Sequence, residues 1–236
     1  MSDDSPQTDW PRQTMLGRLH GHALTEICAA GTRVDIASGR VVFRQGDQSR
    51  HVLVLLSGSV KVVALTEGGY EALLAVRVGG EIIGEMAAVD GEPRSATVIA
   101  CGAVTGRRIE PAELHRIGKL HPEIDAEIHR TFSRRLRWAN RQRIDLRAYD
   151  APTRVGRILV WLAEMHGTPS PLGLELGFPL RQGELASMAG VALPTAEKAL
   201  LGLDQQGLIS RGYRQLVIRD LPGLRKVSQM TDQIPY

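Results

Sequence analysis

The feature that most constrains the fold of this chain is a change in hydrophobic period near residue 110. Between residues 34 and 109, short β-branched runs such as Val52–Leu56 and Val60–Val63 alternate with closely spaced glycines. Short strands separated by glycine turns predict a compact antiparallel β barrel or roll. After Pro111 the apolar residues recur three or four positions apart, which predicts a long amphipathic helix.

The predicted helix extends over residues 111–149 and contains one internal proline. Pro122 removes a backbone donor, so it either kinks this helix or divides it into two. The apolar stripe continues from Leu114 to Leu146, which is further than one small domain needs. We therefore predict that residues 124–146 form a coiled-coil-like seam between two copies of the chain. The alternative is that this stripe packs on the β domain alone.

A second domain is predicted to begin at the hinge Asp150-Ala-Pro152. The residue before a proline is disfavoured in helical geometry, and the Asp150 side chain can cap the helix that follows. The Gly- and Pro-rich stretch 166–179 predicts a loop that could hold a short hairpin.

Two short apolar-faced helices are predicted between Gln182 and Leu201, joined by a tight turn at Gly190. This spacing is typical of a helix-turn-helix, which places its second helix in the major groove of DNA. Residues 207–218 follow as a predicted two-stranded hairpin that turns near Gly212, where a wing would lie.

A glycine-led segment inside the β region could hold one ribose phosphate. Its members are Gly84, Glu85, Met86 and Ala87, followed by Arg94 and Ser95. Glycine lets the backbone approach an anion, and a helical turn that starts at Glu85 would offer free N–H groups. Arg94 would supply charge, Ser95 a hydroxyl donor, and Glu85 an acceptor for a ribose 2′-hydroxyl. The alternative is a surface Glu–Arg pair beside a turn.

Charge is distributed unevenly along the chain, although the net charge is only +3. Residues 1–129 hold 13 Lys/Arg and 17 Asp/Glu, whereas residues 130–226 hold 16 Lys/Arg and 8 Asp/Glu. The basic excess in the second half predicts a polyanionic partner such as DNA. A solvated basic helix face would be the simpler explanation.

Composition excludes several classes of protein. The two cysteines, Cys28 and Cys101, fit neither a disulfide framework nor a zinc or iron–sulfur cluster, so we expect no metal. The acidic start is unlike a secretion signal, and no apolar run approaches the roughly 18 residues that cross a bilayer. We therefore expect a soluble cytoplasmic protein that does not contact a membrane. The sequence shows neither a nucleophile–base signature nor a Walker lysine, so we do not expect an enzyme.

The order of these elements resembles the cyclic AMP receptor and fumarate–nitrate reduction regulator (Crp/Fnr) family over about residues 20–225. The resemblance implies an α+β fold with an N-terminal antiparallel β-roll, a long dimerisation helix and a C-terminal winged helix-turn-helix. It also implies a homodimer that binds promoter DNA and RNA polymerase, with a cyclic nucleotide as allosteric ligand. The corresponding regions are a flexible segment 1–18, a cyclic-nucleotide-binding domain 19–110, a dimerisation helix 111–149, a DNA-binding domain 150–225 and a tail 226–236.

The family resemblance places the two adenine-contacting positions of the long helix at Ala139 and Asn140. Cyclic AMP sensors of the family usually carry a threonine and a serine or similar hydroxyl there, so alanine removes one hydrogen-bonding group. Losing such a bond costs roughly 1–3 kcal/mol, unless Asn140, acting across the dimer, reads the base edge. We therefore expect cyclic AMP to be preferred over cyclic GMP only moderately.

The expected DNA-binding residues also depart from the family pattern. Where the family typically has an arginine, a glutamate and a later arginine, this chain has Leu193, Pro194 and Lys198. Leucine and proline make no hydrogen bonds to base edges, so the operator should differ from the usual one. The predicted DNA-contacting residues are Arg181, Gln182, Leu193, Pro194, Thr195, Lys198, Arg211 and Arg214.

Alternative functions remain open at this point. The chain could be a ligand-independent or differently liganded member of the family. It could also bind a cyclic nucleotide and act on a protein partner, because its recognition helix lacks the usual arginines. Promoter binding that is lost in Lys198→Ala would separate a DNA-binding regulator from that second alternative.

Overall fold

The computed structural model describes residues 10–212 and 216–230. Within this part of the chain, a short helix leads into the β structure, two further helices follow, and a small domain of helices and short strands comes last. This order confirms the α+β architecture that the change in hydrophobic period predicted.

Two open, four-stranded antiparallel sheets form the β-roll. The first sheet contains, in spatial order, β1 (Thr32–Ile36), β8 (Val104–Ile109), β3 (Val52–Ser57) and β6 (Ile82–Ile83). The second contains β2 (Val41–Phe43), β7 (Thr97–Ala100), β4 (Ser59–Leu65) and β5 (Glu71–Val78). Buried side chains from both sheets, including Phe43, Leu55 and Val98, share one core, as strands with alternating inward positions require. A short helix, α2 (Glu85–Asp90), interrupts the roll between β6 and β7.

The segment before the first helix, α1 (Gly21–Ala29), is packed rather than loose. We expected residues 1–18 to be flexible, and for residues 10–18 this was wrong. The side chains of Met15 and Leu16 are only 1% exposed, and the indole N–H of Trp10 donates to the Leu56 carbonyl at 2.9 Å. Burial of these apolar groups holds the segment against the roll despite its polar composition. Residues 1–9 lie outside the described part.

The long helical region consists of two helices, α3 (Pro111–Leu120) and α4 (Pro122–Ala148). Pro122 occupies the first turn of α4, where a missing N–H is tolerated, so of the two options left open the division into two helices is the one found. None of the helices in the described ranges is long and apolar enough to cross a membrane.

The second domain begins with α5 (Ala151–His166), whose first turn is capped as the sequence predicted. The Asp150 carboxylate accepts a hydrogen bond from the Thr153 backbone N–H at 2.9 Å. A short hairpin, β9 (Gly167–Ser170) and β10 (Gly173–Leu176), occupies the predicted loop and joins the sheet of the wing.

The helix-turn-helix consists of α6 (Gln182–Ala189) and α7 (Leu193–Gln205). Gly190 makes the turn between them with a φ of 62°, in the left-handed region that favours glycine. The wing strands β11 (Ile209–Arg211) and β12 (Leu216–Ile218) follow, and α8 (Leu221–Val227) ends the domain. Residues 226–236 were expected to be a tail, but Ser228 is fully buried against Gly156, so the start of that segment is part of the domain.

The second domain is docked on the β-roll through α6. The Ser187 hydroxyl accepts the backbone N–H of Leu73 at 3.0 Å, so α6 covers the outer edge of β5. Beside this contact, the Lys61 ammonium lies 2.6 Å from both carboxylate oxygens of Glu184. Leu73 and Val76 of β5 belong to the same apolar cluster as the core of α5, α6 and α7.

A buried ion pair joins α4 to α5 next to the hinge. Arg157 Nε donates to Asp145 Oδ2 at 2.8 Å, and both side chains are at most 6% exposed. The Arg157 guanidinium also lies over the Tyr149 ring, 4.3 Å from its centroid, and donates to the carbonyls of Ser228 and Gln229. Arg157 therefore fixes both the end of α4 and the end of the domain.

We expect Asp145→Ala to lower the free energy of unfolding by about 3–5 kcal/mol, because it leaves the Arg157 charge buried without its partner. Urea unfolding followed by circular dichroism measures this change. The double variant Asp145→Leu/Arg157→Met is the control, since it removes both charges and should lose much less. A loss below about 1 kcal/mol in Asp145→Ala would contradict the assignment.

Candidate functional site

A cavity of about 450 Å³ lies between the β-roll and α4. This volume is within the range of small-molecule sites. The roll contributes mainly apolar side chains to its walls, and α4 contributes the side chains of one helix face. The residues that line the cavity include Phe43, Val62, Leu74, Ala75, Ile83, Val98, Arg135, Trp138, Ala139 and Gln142.

All six residues of the glycine-led segment line this cavity. The lining includes Gly84, Glu85, Met86, Ala87, Arg94 and Ser95. Gly84 precedes α2 with a φ of 79°, and a Cβ there would come within 2.5 Å of Arg94 Nη1. Both the backbone conformation and the approach of the arginine therefore require glycine.

Arg94 is held in place by the protein itself. Its guanidinium donates from Nη1 to the Gly84 carbonyl at 2.8 Å, from Nη2 to the His51 carbonyl at 2.5 Å, and from Nε to Ser49 Oγ at 3.1 Å. The Phe43 ring lies beneath it, 3.8 Å from the guanidinium carbon. Burial lowers the pKa of Arg94, and Glu85 opposes this effect. Three of its five N–H groups are thus engaged by the protein.

Glu85 is paired with an arginine that the sequence analysis did not select. Its Oε1 accepts a hydrogen bond from Arg135 Nη1 of α4, and Arg135 Nη2 donates to the Ile82 carbonyl at 2.6 Å. Burial alone would raise the pKa of the Glu85 carboxyl, but Arg135 reverses the effect and the pKa is lowered. Glu85 and Arg94 are only 2% and 3% exposed, so the alternative of a surface Glu–Arg pair is wrong.

The face of α4 that meets the cavity contains Arg135, Trp138, Ala139 and Gln142. These positions are three or four residues apart, which is the helical spacing that could have identified them from Ala139 alone. Asn140 lies on another, exposed face and does not line the cavity of its own chain. Its expected contact with a base from across a dimer stays a prediction.

The residues expected to contact DNA lie on two sides of α7. Leu193 shares a cleft of about 720 Å³ with Glu197, Lys61 and the start of α6, where Arg181 and Gln182 are exposed. Another set, Pro194, Thr195 and Lys198, lines a separate groove with Pro152 and Val227.

Of the two arginines predicted on the wing, Arg211 belongs to the described part of the chain and Arg214 does not. Arg211 also lines the cleft, and its Nε donates to Asp204 Oδ2 at 3.2 Å, so its charge is already paired. Arg214 lies outside the described residues. Across residues 10–212 and 216–230, no group of three or more His, Cys, Asp or Glu side chains could hold a metal ion.

Comparisons with known proteins agree with this geometry. Residues 33–120 match the cyclic nucleotide-binding domain, and residues 153–227 match the Crp-like helix-turn-helix domain. The chain is 29% identical over 187 residues to the CRP-like cAMP-activated global transcriptional regulator of Mycobacterium tuberculosis, covering 79% of this chain and 84% of that protein. It is 27% identical over 191 residues to the cyclic AMP receptor protein of Thermus thermophilus, covering 80% and 85%.

A solved structure supports the same fold. FixK2 from Bradyrhizobium japonicum superimposes with a TM-score of 0.72 at 18% identity, covering 84% of this chain and 97% of that chain. The two domain matches follow each other in the order that the sequence predicted, and they cover the roll side of the cavity and the helix-turn-helix. The chain therefore belongs to the Crp/Fnr family of cyclic-nucleotide-binding, DNA-binding transcription regulators.

Proposed function

We propose that this protein is a cytoplasmic, homodimeric regulator whose promoter binding responds to a cyclic nucleotide, with cyclic AMP preferred over cyclic GMP. The observation that carries the proposal is the buried network at the cavity. In it, Arg94 is bonded to Gly84 and the adjacent Glu85 to Arg135 of α4. A ligand that engages this network contacts both the β-roll and the long helix.

The polar side of the cavity supports the roles expected for the phosphate and the ribose. Arg94 keeps two N–H groups and its charge, and the hydroxyl of Ser95 is exposed beside it. Glu85 Oε1 is occupied by Arg135, so Oε2 is the oxygen we assign to a ribose 2′-hydroxyl. The cyclic phosphate would then bind Arg94 and Ser95.

The base side of the cavity offers one amide from the same chain. Gln142 lines the cavity, whereas Ala139 supplies no hydrogen-bonding group. A glutamine amide pairs with the N6 and N7 edge of adenine through one acceptor and one donor, which guanine does not match on that edge. We therefore assign the modest preference for cyclic AMP to Gln142, with Asn140 of a second copy as the other candidate.

The outer face of α4 supports dimerisation. Leu136 and Ile144 are 63% and 61% exposed, and Asn140 lies midway between them at the same helical spacing. Exposed apolar side chains eight residues apart, with an asparagine midway between them, fit one face of a 27-residue helix that forms a seam with an identical helix. In such a dimer Asn140 would lie at the seam, close to the cavity of the other subunit.

The docked arrangement suggests how a ligand would control DNA binding. Leu193 and Glu197 of α7 line the cleft that faces the roll, and this cleft has the volume of a small-molecule site. The roll forms the opposite wall of this cleft, and we infer that it keeps a DNA duplex from this side of α7. DNA binding through this side of α7 therefore requires undocking, and an activating ligand must bind the undocked state more tightly. RNA polymerase is the expected partner once the protein is on a promoter.

One observation favours the alternative of a protein partner. Leu193 and Pro194 have no group that can read a base edge, so specific DNA recognition rests on Thr195, Lys198 and the start of α6. DNA shape and phosphate contacts would then provide part of the specificity.

We expect calorimetry of the dimer to give micromolar or tighter binding of cyclic AMP and severalfold weaker binding of cyclic GMP. Ser95→Ala should weaken both by about 5- to 50-fold, because one phosphate hydrogen bond is lost. Ser95 is preferred to Arg94 for this test, since Arg94 also holds Gly84, His51 and Ser49.

The matched pair Gln142→Leu and Asn140→Leu assigns the base reader. Gln142→Leu should abolish the preference between the two nucleotides while Asn140→Leu retains it. The reverse result would assign the base to the partner subunit, and no heat with either nucleotide would contradict the proposed ligand.

We expect Lys61→Met to raise DNA affinity in the absence of nucleotide by about 3- to 10-fold, because Glu184 loses the partner that stabilises docking. Fluorescence anisotropy on duplexes selected from a random pool measures this.

In the same assay, Lys198→Ala should weaken DNA binding and reduce the slope of its salt dependence by about one. Weak binding that is indifferent to sequence, nucleotide and Lys198 would favour the protein-partner alternative.

A further inference from the structure

Trp138 is a wall of the cavity and a contact of the DNA-binding domain at the same time. Its indole lines the cavity next to Ala139 and Gln142. The same indole stacks on Trp161 of α5, with ring centroids 3.9 Å apart and planes 16° from parallel. Trp138 therefore connects the space for a ligand with a helix of the DNA-binding domain by one side chain.

Trp161 is embedded in the core that holds the helix-turn-helix. It is 4% exposed and belongs to the apolar cluster that includes residues of α6 and α7. The edge of its ring meets His166 at 5.6 Å between centroids, and His166 meets Phe178 in the same way at 5.7 Å. A displacement of Trp161 would therefore also displace the rings packed against it, His166 and then Phe178.

We propose that the Trp138–Trp161 stack couples the cavity to the DNA-binding domain within a single protomer. A base in the cavity contacts the Trp138 indole and moves it off Trp161, which weakens docking and frees α7. The proposal rests on the proposed cyclic-nucleotide function and gives Trp138 the role of a positioning residue for that response.

The direction of the effect follows from the docked geometry. In the docked geometry Leu193 and Glu197 line the cleft whose other wall is the roll, so a ligand that frees this side of α7 for DNA must weaken contacts that exist only when the domain is docked. The indole stack is one of these contacts, and it is the one whose inner ring lines the cavity.

A competing route runs through β5. Leu74 and Ala75 line the cavity, while Leu73 and Val76 pack in the cluster of the DNA-binding domain. A shift of this strand could also loosen α6. The two routes differ in their response to Trp161, which contributes to the stack but does not line the cavity.

The test uses reciprocal linkage. If ligand binding must break the stack, then Trp161→Leu removes that cost, and calorimetry should show cyclic AMP binding about 2- to 10-fold more tightly. Trp161→Phe keeps an aromatic partner and should stay within about twofold of the unmodified protein. Trp10→Phe is the matched control, because Trp10 is bonded to Leu56 and does not line the cavity, and it should leave the affinity unchanged.

Hydrogen exchange separates coupling from a merely structural role. In the unmodified protein, cyclic AMP should slow exchange in residues 84–96 and speed it in residues 182–205. In Trp138→Leu and Trp161→Leu the first change should persist, while the second should be lost because α6 and α7 are already released. Thermal unfolding with a single transition checks that each variant is folded, and Trp138→Leu alone carries the exchange measurement if Trp161→Leu is not.

The outcomes are distinct. Unchanged or weaker cyclic AMP binding in Trp161→Leu, or a ligand-induced change in residues 182–205 that persists without the stack, overturns the coupling and leaves the ligand assignment intact. Absence of nucleotide binding by the unmodified protein overturns the proposed function and this proposal together.

Discussion

The buried ion pair between Glu85 and Arg135 is the interaction on which the arrangement of the cavity depends. It joins the segment that starts at Gly84 to the long helix, with the Glu85 carboxylate buried and the Arg135 side chain partly buried. A buried charge without its partner is costly, so the roll and α4 are held at a fixed distance. The segment that starts at Gly84 and the inner face of α4 are thereby built into one cavity.

The hydrophobic period predicted most of the fold, because strands and helices bury their apolar residues at different intervals. The two helices divided at Pro122, the Asp150 cap and the turn at Gly190 all follow from local chemistry. Local patterns do not show long-range docking. Trp10 and the neighbouring buried residues stand among prolines and polar residues, so nothing in their spacing indicated that they pack on the roll.

The candidate site was predictable on the roll and only partly on α4. Gly84, Arg94 and Ser95 are close in sequence and form one local structure, which the spacing indicated. Arg135 was missed because its partner lies 50 positions away, although helical spacing from Ala139 points to its face. The docking contact between Lys61 and Glu184 spans 123 positions, and no pattern in either segment alone identifies it.

The ion pair between Arg157 and Asp145 has a geometric consequence for the angle between α4 and α5. Arg157 and Trp161 are four residues apart on α5, so the pair and the indole stack are separated by about 6 Å along the helix. If the pair acts as a pivot, a displacement of about 1 Å at Trp161 rotates α5 by roughly 10° and moves groups 20 Å away by about 3 Å. In a two-fold dimer both DNA-binding domains would move by this amount. The distance between the two α7 helices would then depend on the short distance from Arg157 to Trp161. That spacing matters because two symmetry-related helices must match successive major grooves.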